Sequence, residues 1–287
     1  MKKISLLFVL ILGGCGRLES LEAIPKVTPT DFLLSQPYLN IKLFSNELIL
    51  IQPSSTFLVY LLGVITILLG LRFLKDKSYA SRKWWGISMI FWGLGAIAAG
   101  TSYQGFGYEL KCSGYEYCTF TSWWEIIYLY LTAVSINSLA IAIAYSCTKG
   151  RLRKFMFIFS LASALIYLVV LIVGSVVPIR FLVSYELFML FFMPNFILFF
   201  ILNVIQYRKR KDEMNKYLII TWLLFLAVNI SYFVYLLLGV TAPLYTSTGV
   251  WFSENDVLHV TLIFWMIFIW SVVRKKIHDY ETFEEDA

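Results

Sequence analysis

The sequence has few charged residues. Asp, Glu, Lys and Arg make up 15% of the 287 residues, whereas about 25% is usual for soluble domains. Hydrophobic residues make up 59% of the chain and aromatic residues 18%. An ordinary soluble domain needs a charged surface, and a disordered chain needs high charge with low hydrophobicity, so both classes are excluded. The composition indicates a polytopic membrane protein.

Histidine and cysteine are also scarce, which limits metal and redox chemistry. Histidine occurs twice, at His259 and His278, and the four cysteines include no C-x-x-C pair. A zinc ribbon and a thioredoxin-like redox site therefore have no support. The sequence also contains no G-x-S-x-G, G-x-G-x-x-G, P-loop or H-E-x-x-H motif, so the chemistries that depend on these motifs have no support either.

Long apolar windows predict seven transmembrane helices, because about 20 mainly apolar residues are needed to cross a bilayer. The windows are 48–71, 84–108, 126–148, 155–179, 181–207, 217–253 and 257–273. Two of them carry an ionisable group, Glu186 or His259, and the window 217–253 holds one span plus an uncharged loop. Residues 48–51 are expected to extend or cap the first helix. The predicted fold class is all-α, a seven-helix transmembrane bundle.

The distribution of Lys and Arg predicts the orientation, since basic residues near span ends stay on the cytoplasmic side. Seventeen basic residues fall in one alternating set of segments, and only Lys111 and Arg180 fall in the loops of the opposite set. The carboxyl terminus is therefore expected in the cytoplasm and the amino terminus outside, with the protein in a bacterial inner membrane. The basic run 208–211 is then explained by orientation and by anionic lipid, so no nucleic-acid partner is expected.

The amino terminus resembles an export signal. Two lysines precede nine apolar residues, a stretch too short to cross a bilayer, so residues 1–15 are expected to be a signal peptide. The ending Leu12-Gly13-Gly14-Cys15 resembles a bacterial lipoprotein cleavage box, which would leave Cys15 acylated. Cleavage at a nearby small residue, or an uncleaved interfacial segment, stays open.

The remaining chain is expected to form one transmembrane domain with short flanking segments. Residues 16–53 form a short exported segment, too small for a core of its own, residues 54–274 form the seven-helix domain, and residues 275–287 form a cytoplasmic tail. Cys112 and Cys118 lie in the loop between the second and third spans, in an oxidising compartment, and are expected to be able to form a disulfide.

Glycine spacing predicts close packing of the first two spans. Gly63 and Gly70 are seven residues apart, and Gly86, Gly93 and Gly100 repeat this interval in the second span. Seven residues return to nearly the same face of a helix, so each helix is expected to present a small-residue seam to a neighbour.

Six polar residues are predicted to converge near the outer membrane boundary, and ionisable groups inside a membrane are functional candidates by default. They are Gln104, Glu125, Glu186, Asn255, Asp256 and His259. Counting helix rise from the basic anchors brings them to a similar depth. We expect them to line an outward-facing polar cavity that binds a small polar or lipidic ligand or a cation. Two alternatives stay open: Glu125 and Asp256 as loop-end acids in water, and His259 as a hydrogen-bonded core histidine.

A family resemblance follows from three segments that contain four of these residues. The string Thr101-Ser102-Tyr103-Gln104 at the end of the second span, the acid Glu125 at the start of the third, and Asn255-x-x-x-His259 in the seventh resemble the alkaline-ceramidase-like superfamily of membrane hydrolases. That resemblance implies seven spans and a zinc held by three histidines, which activates water for amide hydrolysis. Here Gln104 and Asn255 stand where two of those histidines would be.

These replacements imply a relative that binds rather than cleaves. A catalytic zinc needs three protein ligands and an open position. His259 with Asp256 could contribute to a mixed metal site, but no cofactor is expected, and whether the chain is an enzyme stays open. The alternative functions are a membrane hydrolase of lipid amides or esters and, further, a transporter or receptor. Membrane lipids and an unidentified small ligand are the expected partners.

Overall fold

A computed structural model describes residues 18–43, 46–76 and 78–281. The predicted signal peptide, including Cys15, lies outside the described residues. Seven helices are long and apolar enough to cross a membrane, so the all-α, seven-helix prediction is confirmed. We number them α1 Pro53–Lys75, α2 Ala80–Gly105, α3 Trp123–Cys147, α4 Gly150–Val176, α5 Tyr185–Arg210, α6 Glu213–Leu238 and α7 Glu254–Val273.

Polar caps define where several of these helices begin. The side chains of Ser122, Ser184, Asp212 and Ser253 each accept a hydrogen bond from a backbone N–H in the first turn of α3, α5, α6 and α7, respectively. Such caps satisfy amide groups that have no partner within the helix. The apolar windows end only at charged residues. They therefore do not show helix starts at uncharged caps such as Ser184 and Ser253, or at caps outside the windows such as Ser122 and Asp212.

Six of the helices form a ring. Around it the order of packed neighbours is α1, α2, α3, α5, α6 and α7, and α7 closes the ring by packing on α1. Helix α4 lies outside the ring and packs on α3. This arrangement leaves the interior of the ring to be filled by side chains from six helices, and it is there that the main cavity lies.

The glycine seams join α1 to α2. A Cβ on Gly70 would lie 2.7 Å from the carbonyl oxygen of Gly86, and a Cβ on Gly63 would lie 2.9 Å from that of Gly93. The two helix backbones are therefore in direct contact at two levels one heptad apart, as the spacing predicts.

The ends of the bundle differ, and we name them by what they carry. The hairpin end carries two antiparallel strands, β1 Tyr38–Leu43 and β2 Asn46–Ile51, with Tyr38 opposite Ile51. The expectation that residues 48–51 extend or cap the first helix is wrong. They pair with β1, and Pro53 opens α1 only after Gln52, which adopts a left-handed conformation.

The hairpin end also holds the Cys112–Cys118 disulfide. The loop closed by this bond is fixed on both sides: the N–H of Thr119 donates to the carbonyl of Lys111, and the N–H of Ala23 donates to the carbonyl of Cys118. The described part of the amino-terminal segment therefore packs along this loop rather than forming a separate core.

The tail end carries residues 275–281, which cross the bundle. The carboxylate of Asp279 accepts hydrogen bonds from the N–H groups of Ala80 and Ser81, 2.9 and 2.8 Å away, at the start of α2. The N–H of Tyr280 donates to the carbonyl of Tyr145 in α3. The segment thereby ties the ends of separate helices together.

Candidate functional site

The interior of the ring contains a cavity of about 430 Å³, within the range of about 300–1,000 Å³ that is typical of ligand pockets. Its walls are mainly apolar and aromatic. Among the described residues that line it, none is Asp, Glu, Lys or Arg. Trp92 of α2 and Trp222 of α6 form part of its aromatic wall, with Phe200 of α5.

Besides the indole N–H groups of Trp92 and Trp222, five lining residues carry polar side-chain groups, and all five lie toward the hairpin end. They are Tyr128, Thr132, Tyr185, Asn229 and His259. Each lies no more than nine residues from the hairpin-end terminus of its helix, a rise of about 14 Å or roughly half of the hydrocarbon thickness. The cavity is therefore amphipathic along the membrane normal, with these five polar residues in one half.

His259 is the only predicted site residue in this wall. Its side chain is buried, with 7% of the residue exposed, and its Nδ1 atom has no hydrogen-bond partner in the described structure. Buried polar groups are nearly always hydrogen-bonded, so an unpaired ring in a cavity wall is a candidate contact for a ligand. His259 lies in the second turn of α7, close to the depth that the sequence predicts.

The cavity opens sideways, between α5 and α6. Five of its lining side chains are between 44% and 58% exposed: Tyr185, Met193, Ile197, Leu223 and Leu226. Tyr185 begins α5 at the hairpin end, and the other four are apolar and belong to the spanning parts of these two helices. In a membrane this surface faces lipid, so the opening leads into the bilayer rather than into water.

Glu125 belongs to a separate cluster at the hairpin end. Its Oε1 atom accepts hydrogen bonds from Ser102 Oγ at 2.9 Å and from Lys111 Nζ at 2.8 Å. The side chains of Lys111 and Glu125 are only 13% and 5% exposed. The hydroxyls of Ser102 and Ser122 are 2.6 Å apart. Glu125 therefore forms a buried, hydrogen-bonded ion pair, and it does not line the cavity.

Asp256 stabilises the start of its own helix. Its Oδ2 atom accepts hydrogen bonds from the N–H of Ser253 at 2.6 Å and from the hydroxyl of Ser253 at 2.9 Å, which forms a capping box. The residue is fully buried, and its Oδ1 atom has no partner in the described structure. Asp256 is one turn from His259 on α7 but does not line the cavity.

The other three predicted residues lie on three different helices, α2, α5 and α7. Gln104 is buried with its Oε1 atom unpaired, and Asn255 is half-buried. Glu186 is exposed in the first turn of α5, because the helix begins only at Tyr185. It borders a shallow groove on α5 that shares Met189, Met193 and Ile197 with the cavity. The expected single polar cavity is thus corrected to an apolar cavity with one of the six residues in its wall.

The residues present do not fit a zinc site of the kind that the resemblance implies. Among the described residues, no group of three or more His, Cys, Asp or Glu side chains lies close enough together to hold a metal. Gln104 and Asn255, at the positions of two ligand histidines, carry neutral amides. Asp256 already uses one oxygen for its capping box.

One family matches most of the chain. Residues 55–278 match the family whose description is "Family of unknown function (DUF6962)". The chain belongs to this family. The DUF6962 match runs from the first turn of α1 into the tail and leaves β1 and β2 outside. No curated protein and no solved structure matches the chain, so the resemblance to the ceramidase-like superfamily stays a prediction.

The DUF6962 region contains the whole cavity wall and the cluster around Glu125. Sequence reasoning missed Trp92 and Trp222 as wall residues, because aromatic residues are frequent throughout the chain. Lys111 was counted only as a basic residue of an outer loop and was given no role. The available signal was that Lys111 is one of only two basic residues in the loops between spans on its side of the membrane, directly beside Cys112.

Proposed function

We propose that this DUF6962 protein binds a single-chain amphiphile, which enters its cavity sideways from the bilayer. The observation that carries this proposal is the mouth between α5 and α6, where cavity-lining side chains are also lipid-facing. A water-soluble ligand would need a route to water, whereas an apolar chain already lies in the bilayer beside this mouth. The amphiphile would place its chain among the aromatic residues.

The chemistry of the walls supports a lipid chain over an ion or a polar metabolite. The described wall contains no Asp, Glu, Lys or Arg, and burying an unpaired charge is costly. Burying apolar surface in the cavity is favourable, by about 25 cal/mol for each Å² removed from water. The cation ligand that the sequence left open therefore has no counter-charge in this cavity.

The charge distribution supports an orientation with the hairpin end outside. The segments at the tail end carry seventeen of the Lys and Arg residues in the sequence, and such an excess is retained on the cytoplasmic side. The polar half of the cavity then lies in the outer leaflet. The ligand would be an outer-leaflet amphiphile of a bacterial inner membrane.

Lipid analysis of the purified protein tests the proposal. Protein extracted in mild detergent is expected to retain a defined single-chain amphiphile, which mass spectrometry detects. Ala99→Phe places a ring in the cavity wall and is expected to remove this species, whereas Leu94→Phe, on the lipid-facing side of the same helix, keeps it. Identical lipid profiles for both variants would contradict the proposal.

A membrane hydrolase is the second candidate, and one contact favours it. The hydroxyl of Ser102 donates to Glu125, so the serine and the acid of the ceramidase-like resemblance are in contact. However, Ser102 is fully buried and Glu125 is paired with Lys111. Hydrolysis of a lipid amide or ester by the purified protein that is abolished by Ser102→Ala would support this candidate; absence of turnover favours binding alone.

A further inference from the structure

We infer that the cavity selects an uncharged amphiphile whose headgroup carries a hydroxyl, and that this hydroxyl donates a hydrogen bond to His259. This inference rests on the proposed function and specifies its ligand class. It is carried by a buried histidine that lines the cavity and whose ring is unpaired among the described residues.

Two polar groups of the wall donate within the protein. The hydroxyl of Thr132 donates to the carbonyl of Tyr128 at 2.9 Å, and the amide nitrogen of Asn229 donates to the carbonyl of Phe225 at 2.8 Å. Thr132 therefore offers acceptor lone pairs, whereas the hydroxyls of Tyr128 and Tyr185 can still donate or accept. A ligand hydroxyl, which both donates and accepts, matches this mixed set.

His259 adds an acceptor for the proton of such a hydroxyl. A neutral imidazole carries one acceptor nitrogen and one donor. The ring lines the half of the cavity that also contains Tyr128, and no side-chain hydrogen bond pairs it with another described residue. A ligand hydroxyl would satisfy its acceptor nitrogen, whereas a purely hydrocarbon ligand would leave the ring unpaired at a cost.

The charge around the histidine disfavours an anionic headgroup. The carboxylate of Asp256 lies one turn away, and its Oδ1 atom is unpaired. No described Lys or Arg side chain lines the cavity. A carboxylate or phosphate headgroup would enter beside another negative charge without a cation to compensate it, and like charges at close range repel strongly in a low dielectric.

The length of the cavity suits one hydrocarbon chain below such a headgroup. Its lining extends along α5 from Tyr185 to Phe200, and these fifteen helical steps rise about 22 Å. The polar residues occupy the hairpin-end part of this length, and Trp222 lines the deeper part. An amphiphile with its hydroxyl at the level of His259 would therefore extend its chain toward the middle of the membrane.

Three ligands with the same chain test the headgroup directly. Binding of a long-chain fatty alcohol, its methyl ether and the corresponding fatty acid is measured with the full-length protein in nanodiscs. We expect the alcohol to bind about fivefold more tightly than the ether, which lacks a donor. The fatty acid anion should bind more weakly than the alcohol.

Variants of His259 then assign the preference to this side chain. His259→Phe should bind the alcohol and the ether equally, whereas His259→Gln, which keeps an acceptor, should retain part of the difference. Phe264→Leu, on the lipid-facing side of the same helix, should behave like the wild type.

The outcomes separate the inference from the proposed function. Equal binding of the alcohol and the ether by the wild-type protein would overturn the inference while leaving lipid binding intact. Binding of none of the three would overturn both. If His259→Phe fails to fold, the wild-type comparison still decides the inference.

Discussion

A Cβ atom on Gly93 would lie 2.5 Å from the carbonyl oxygen of Gly63. Since this oxygen belongs to a helix backbone, it cannot move aside as a side chain would. Gly93→Ala should therefore force α1 and α2 apart and destabilise the protein by about 1–3 kcal/mol, as overpacking usually does. Thermal unfolding in detergent measures the effect as a lower midpoint.

A matched control for this prediction lies on the next residue of the same helix. Leu94 is exposed on the surface of the bundle, so Leu94→Ala should leave the unfolding midpoint nearly unchanged. An equal decrease of the unfolding midpoint in both variants would contradict the prediction that the glycine contact holds the two helices together.

The buried ion pair of Lys111 and Glu125 predicts that substitutions of these two residues have strongly coupled effects on stability. Removing one partner leaves the other charge without compensation, which typically costs about 3–5 kcal/mol in a buried site. Lys111→Met and Glu125→Leu should each destabilise the protein markedly. The double variant should lose less than the sum of the two, because it removes both charges. Strictly additive losses in a double-mutant cycle would contradict the pairing.

Asp279 in the tail caps the start of α2, although the two are far apart in the sequence. Asp279 accepts two hydrogen bonds from the first amides of α2, and loss of a helix cap costs about 0.5–2 kcal/mol. Asp279→Ala should lower stability by this amount, and Asp279→Asn, which keeps an acceptor, should lose less. Equal stability of Asp279→Ala and the wild type would show that the tail does not cap α2.

The orientation can be tested with single introduced cysteines. Ser247 is exposed at the hairpin end, and Lys209 is exposed at the tail end. A membrane-impermeant thiol reagent should label Ser247→Cys in intact bacterial spheroplasts, and it should label Lys209→Cys only after permeabilisation. The reverse pattern would place the hairpin end in the cytoplasm. The wild-type chain controls for labelling of native thiols.

The spans could be predicted from the sequence because hydrophobic length is a local property. The same holds for the glycine seams, since one heptad spacing places Gly63 and Gly70 on one face. The strand β2 was missed because its apolar residues adjoin those of α1 without an intervening charge. Only pairing with β1 decides between strand and helix there.

The site could be predicted only in part. Helix rise gave the depth of His259, but depth does not fix which way a side chain points around the helix axis. Glu125 and Asp256 therefore had the expected level in the membrane, yet each found partners outside the cavity, in Lys111 and Ser253. The ring order and the position of α4 outside it are tertiary properties that no window of sequence contains.

Fluorescence quenching tests the central claim, that a lipid chain enters the cavity, most directly. Trp92 and Trp222 line the cavity, and bromine quenches tryptophan only at short range. Titration of a chain-brominated fatty alcohol into nanodiscs should produce quenching that saturates and is reversed by the unbrominated alcohol. Ala99→Phe should abolish this component, and Leu94→Phe should keep it. Quenching that rises without saturation, and is the same in both variants, would contradict a lipid-binding cavity.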